Sequence, residues 1–185
     1  MKRSEIRDHL LDTAIALFNK RGFHAAGIDL IIAEAKVAKT TLYRHFPTKE
    51  ALILAALKRR DEFGRGEMRK FVETRASDPR ERLLVTFDYL EAWFATDSFK
   101  GCPFISAAGE HGEADDPVFQ AAVHHKRKVL AYFRELAVAA GYGDADDIAR
   151  EINLLHEGAV AVAQIARETS SAQFAKKMAR RLLAT

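Results

Sequence analysis

The sequence predicts an all-α protein of about nine helices, with a three-helix N-terminal domain over residues 1–50 and a larger helical domain over 51–185. Three observations predict it. Apolar residues recur at three- and four-residue intervals along most of the chain. Prolines and glycines fall mainly between those runs, where they end or begin helices. Alternation of apolar and polar residues never lasts four positions outside a helical context, so no strand is expected.

Ile6, Leu10, Ala14 and Phe18, with Leu11, Ile15 and Leu17, mark a first helix that ends at Gly22, where the absence of a Cβ suits a C-terminal cap. Two short helices come next, the first carrying Ile28, Ile31, Ile32 and Ala35, the second Leu42 and Phe46. Pro47-Thr48 stops the second and starts a long helix to about Thr74. Asp78-Pro79-Arg80-Glu81 reads as an N-cap, a proline at the first helical position and a capping-box acid. The helix behind it holds Leu83, Leu84, Phe87, Leu90, Trp93 and Phe94. Gly101-Cys102-Pro103 interrupts, and a short helix runs from Pro103 to about His111. Asp116-Pro117 opens a long helix ending near Gly141, Asp144 starts the next to about Glu168, and Ser170 or Ser171 caps the last.

Composition excludes several function classes. No apolar run approaches the roughly 20 residues of a membrane span, and the polar Asp8 and His9 break any signal-peptide core. A single cysteine, Cys102, allows neither an internal disulfide nor a thiolate zinc cluster. A cytoplasmic protein without membrane, metal or cofactor is expected. The net charge of +3 is unevenly placed: residues 1–50 hold nine Lys/Arg against six Asp/Glu, while the rest of the chain is balanced. A basic head on a neutral body suits a polyanionic partner.

The two short helices, joined by a tight turn between Ala35 and Ala38, match a helix-turn-helix. Ile28, Ile31, Ala35, Val37, Leu42 and Phe46 supply its internal core. Leu42 and Phe46, four apart, share one face of the second helix. Its other faces present Lys39, Thr40, Thr41, Tyr43, Arg44 and His45, a set of donors that a DNA major groove accepts.

The run Ala35-Lys36-Val37-Ala38-Lys39-Thr40-Thr41-Leu42-Tyr43-Arg44-His45-Phe46-Pro47-Thr48-Lys49-Glu50-Ala51-Leu52, with Gly22-Phe23, Ile28 and Ile31 before it, closely resembles the DNA-binding domain of tetracycline-repressor-type regulators. The resemblance covers about residues 4–55. It implies a sequence-specific transcriptional regulator, in the first instance a repressor, bound to double-stranded operator DNA and controlled by a small-molecule effector. Lys39 and Thr40 would lie nearest the base edges, with Thr41 and Arg44 beside them. Tyr43 and His45 would brace phosphates, and Lys49 would bind another phosphate at the start of the next helix. Three positions depart from the family pattern: Ala26 in place of threonine, Lys36 in place of the turn glycine, and Ala38 in place of serine. Lys36 would carry a steric cost at positive φ.

Residues beyond 55 show no chemistry. His156-Glu157 begins like a zinc-protease helix, but Val160 stands where the second histidine would be. Glu110-His111 and His124-His125 are sequential neighbours that diverge on a helix. No catalytic residue is assigned. Trp93, Phe94 and Phe104, with Glu110, His111 and His156, are the expected lining of an effector cavity. The segment 144–168 is apolar nearly all round, and Phe174, Met178, Leu182 and Leu183 give the last helix an apolar seam. Two copies of this pair would form a four-helix interface, so a homodimer through about 144–168 and 171–184 is expected, with Ala159 and Ala163 at its seam. A constitutive architectural DNA binder, and more remotely a helical enzyme, are the alternatives.

Overall fold

The computed structural model describes residues 3–184 and contains nine helices among them. These are α1 (Arg3–Arg21), α2 (Ile28–Ala35), α3 (Lys39–His45), α4 (Lys49–Arg75), α5 (Pro79–Phe94), α6 (Pro103–Glu110), α7 (Pro117–Ala139), α8 (Ala145–Ala166) and α9 (Ser171–Leu182). The described residues form no strand. The local signals act where the sequence places them. Gly22 takes φ +86° and its N–H closes α1 onto the Phe18 carbonyl at 2.9 Å. The Asp78 carboxylate accepts the Arg80 N–H at 3.1 Å, with Pro79 opening α5. Asp116 caps α7 through the Val118 and Phe119 amides at 2.7 and 3.2 Å.

The chain forms two compact units that are not the two halves of the sequence. Among the described residues, the first comprises 3–62 and 103–124; the second comprises 63–102 and 125–184. The division falls within α4, at 62/63, and α6 with the start of α7 belongs to the first unit.

In the first unit, Leu10, Leu11, Ala14, Phe18, Ile31, Leu42, Phe46 and Leu52 are all buried and join α1 through α4 in one core. Arg59 of α4 pairs with Asp8 and, at 2.6 Å, with Asp12 of α1. In the second unit, α9 lies against both α5 and α8. Leu83, Phe87, Leu90, Phe133 and Ile152 form its fully buried centre. Lys176 of α9 reaches Asp88 of α5 at 2.6 and 2.7 Å, and Ser171 donates to the Ala159 carbonyl of α8 at 2.9 Å. Arg69 of α4 grips both oxygens of Glu135 on α7, at 2.7 and 2.9 Å, over the face of Tyr132. Burial holds the Tyr132 hydroxyl up at about 12.

Ala159 and Ala163 face this interior and are buried within the unit, not at an outer seam. Small side chains let α9 approach α8 closely. The outer face of the same pair carries Leu154, Val162, Ile165, Phe174 and Met178, which are 43–83% exposed.

His156 sits in the second unit's core between the rings of Phe87 and Phe133, with centroids 5.9 and 5.1 Å away. Burial, and then the charge of Lys126, hold its pKa down to about 3. An unfolded chain would bind that proton near pH 6.5. Stability is therefore fully present above pH 6.5 and is lost as the pH falls towards 3, because only the unfolded chain takes up the proton. The expected loss is about 2 kcal/mol by pH 5. Urea midpoints at pH 7.5 and 5.0 measure it, and His156→Leu should flatten the dependence; an equal pH dependence in that variant would refute the assignment.

Candidate nucleic-acid interface

The surface expected to meet DNA is built by α2, the turn after it, and α3. Lys36 ends α2 at φ 54°, and its N–H and that of Val37 bond back to the Ala33 and Ile32 carbonyls at 3.3 and 3.2 Å. The turn thus keeps its left-handed conformation with a lysine in the glycine position, at a cost of about 1 kcal/mol. The His9 ring meets the Ala35 carbonyl at 3.0 Å, fixing the end of α2 to α1. Leu42 and Phe46 are buried, and Arg7 lies over the Phe46 ring with its guanidinium 5.0 Å from the centroid. With that face sealed inward, α3 has one orientation left for its polar residues.

Lys39, Thr40, Tyr43 and Arg44 are exposed, while Thr41 and His45 are half-buried. All six lie on one seven-residue helix, Lys39, Thr40, Tyr43 and Arg44 on its exposed side and Thr41 and His45 on its half-buried side. Lys39 pairs with Asp29 of α2 at 3.0 Å, which raises its pKa through that hydrogen bond first. His45 is the opposite case. Burial, then the charges of Arg44, Arg3 and Arg7, push its pKa down. Lys49 turns toward the connection between α1 and α2, donating to the His24 carbonyl at 3.0 Å, and burial lowers its pKa. Its ammonium has two further N–H groups for a phosphate.

The residues expected around an effector are distributed between the units. Trp93, Phe94 and His156 belong to the second unit. Trp93 and Phe94 gather with Phe99, at centroid distances of 5.0 and 4.9 Å. Phe104, Glu110 and His111 belong to the first unit. There the Glu110 carboxylate accepts the Phe23 and His24 amides at 2.9 and 2.6 Å. His111 stacks on His24 and bonds Asp116 at 3.0 Å. Sequence reasoning missed this engagement with the N-terminal turn; the glycine at position 22 was its only local trace.

The described helices include none long and apolar enough to cross a membrane. Residues 10–56 match the family of bacterial regulatory proteins called tetR, and residues 79–179, more than half of the chain, match the tetracyclin repressor-like C-terminal domain. The crystal structure of a TetR-family transcriptional regulator from Streptomyces coelicolor is 30% identical, with a TM-score of 0.91 over 98% of this chain and 95% of that one. The transcriptional regulator LmrA of Bacillus subtilis is 25% identical over 92% of both chains. The transcriptional activator FasR of Mycolicibacterium smegmatis is 39% identical over 49% of this chain and 43% of its own. A helix-turn-helix with its polar face outward, joined to a C-terminal domain of the same lineage, accounts for all of these likenesses: the chain belongs to the TetR family of DNA-binding transcriptional regulators.

Proposed function

We propose that the protein is a ligand-controlled repressor that binds a near-palindromic operator as a homodimer and works in the cytoplasm, where that DNA is. The observation that carries the DNA reading is α3: Lys39, Thr40, Tyr43 and Arg44 stand outward while Leu42 and Phe46 are sealed behind them. Lys39, Thr40 and Arg44 read base edges; Tyr43, His45 and Lys49 hold phosphates. The apolar outer face of α8 and α9 supports dimerisation, since five large apolar side chains on one helix pair exceed ordinary surface scatter. Effector binding belongs to the second unit. His156 supports it, because its Nε2 is buried among aromatic rings and accepts or donates no hydrogen bond among the described residues. Trp93 and Phe94 supply apolar lining. That α4 contributes residues to both units supports the reading that it links effector binding to the DNA-binding unit.

The test is selection from a random 30-base-pair pool by the full-length protein, then titration of the recovered duplex against an unrelated one at fixed salt. A repeated inverted motif bound at least 10³-fold more tightly than unrelated DNA supports the reading. Equal affinity for both duplexes would leave a non-specific DNA binder.

A further inference from the structure

The first unit contains a contact between distant parts of the sequence that serves no hydrophobic purpose. Glu110, the last residue of α6, places Oε1 2.9 Å from the Phe23 nitrogen and Oε2 2.6 Å from the His24 nitrogen. Both amides donate, so one carboxylate clamps two consecutive peptide groups in the connection between α1 and α2. Charge-assisted bonds of this kind are shorter and stronger than neutral ones. The approach depends on Gly22: a Cβ there would lie 2.8 Å from Oε1, and the residue has φ +86°. His24 is held from three further directions. Its Nδ1 is 3.3 Å from Glu110 Oε2, its ring stacks on His111 at 5.0 Å, and its carbonyl accepts from Lys49 at 3.0 Å.

The position of this clamp gives it meaning. Residues 22–27 set the direction in which the chain enters α2, and α2 packs on α1 and α3. Lys49 begins α4, directly after the recognition helix. The other end of α6 starts after Gly101-Cys102, where Gln164 of α8 accepts the Cys102 N–H at 3.1 Å. Gly101, at φ +105°, leaves no room for a Cβ against that side chain. The end of α6 thus holds the turn before α2.

We propose that Glu110 is a positioning residue for DNA recognition: its carboxylate fixes the 22–24 turn, and through that turn and Lys49 it sets the orientation of α3. The inference rests on the reading of α3 as the groove-reading helix. Glu110 lies on α6 and is engaged with the 22–24 turn, so its proposed route to α3 is geometric. That separates it from a simple charge effect, which has the opposite sign. Removing a carboxylate from a basic unit should tighten binding to every DNA, whereas loosening the turn should weaken binding to the selected sequence.

The experiment uses the full-length protein and the duplex it selects from a random pool. Failure of the unmodified protein to select any sequence would remove the DNA reading itself, a result distinct from any effect of a Glu110 variant. Glu110→Gln keeps the shape and places an amide against the two donors; Glu110→Asp keeps the charge and withdraws it by one methylene. Both are expected to lose about tenfold in affinity for the selected duplex, equivalent to about 1.4 kcal/mol. Affinity for an unrelated duplex should stay level in Glu110→Asp and stay level or rise in Glu110→Gln. The slope of log affinity against log salt should not change, because no phosphate contact is lost. Amide exchange at Phe23 and His24 in the free variants should quicken, a readout available even if a variant is less stable. Affinity within twofold of the unmodified protein in either variant would overturn the proposal. So would an equal loss on both duplexes, or unchanged exchange at Phe23 and His24.

Discussion

Ile165→Glu is expected to convert the protein to a monomer and to lower its affinity for the selected duplex by about 10²–10⁴-fold. Ile165 is 83% exposed on α8, and Phe174 is 63% exposed on α9. Their neighbours Leu154, Val162 and Met178 extend the same outer face. Covering such a face with a second copy removes apolar area from water at about 25 cal/mol per Å². A buried carboxylate without a partner would oppose that by several kcal/mol. The effect on DNA comes from linkage between two heads: once one recognition helix is seated, the second binds intramolecularly, and a monomer loses that advantage. Because Ile165 faces outward, the helical unit itself should still melt cooperatively, at a temperature lowered only by the lost dimer linkage. Glutamate at Ala159 or Ala163 is the informative contrast, since it should unfold the second unit by forcing a charge into the packing with α9. Light scattering and duplex titration check both. A dimer that survives both Ile165→Glu and Phe174→Glu would place the interface elsewhere.

Arg44→Ala is expected to cost about 1–3 kcal/mol of discrimination at its base pair, or roughly 5–150-fold, and to relax the preference there. Lys49→Ala should weaken every duplex and reduce the salt slope by about one ion, with a further loss on the selected duplex because Lys49 also holds the His24 carbonyl. Lys39 is an intermediate case, because it must leave Asp29 to enter the groove. That pair is exposed and screened by solvent, so it is weaker than a good base contact and the exchange favours DNA. Titration of the selected duplex and its single-base variants separates these roles. Unchanged affinity in Lys39→Ala, Arg44→Ala and Lys49→Ala together would remove α3 as the reading element.

Helix limits were legible wherever one residue decides them: Gly22 closing α1, Asp78-Pro79 opening α5, Asp116 opening α7. The inward face of α3 was legible too, because Leu42 and Phe46 repeat at the helical period. The strained Lys36 was visible as a departure from a glycine pattern. Three things were not legible, each for a physical reason. Glu110 bonds amides 86 and 87 positions earlier, and no local periodicity carries a contact of that range. A helix apolar all round does not reveal which side faces its own unit. On α8 the small Ala159 and Ala163 face inward for close helix packing, leaving the larger Leu154 and Ile165 outside. The compact units are also discontinuous in sequence, so a single cut through the chain does not find residues 103–124 beside the N-terminal helices.

Control by a small molecule is tested most directly by reciprocity. A compound found to raise the melting temperature of the full-length protein, and to lose that effect in His156→Leu, is titrated with and without saturating selected duplex. The duplex is then titrated with and without saturating compound. The two coupling factors must agree, because they close one thermodynamic cycle. Ligand control predicts equal factors of roughly 5–150, with the compound weakening DNA binding. A factor of one in both directions, for a compound bound at His156, would contradict it: such a ligand would have equal affinity for both states and could shift neither.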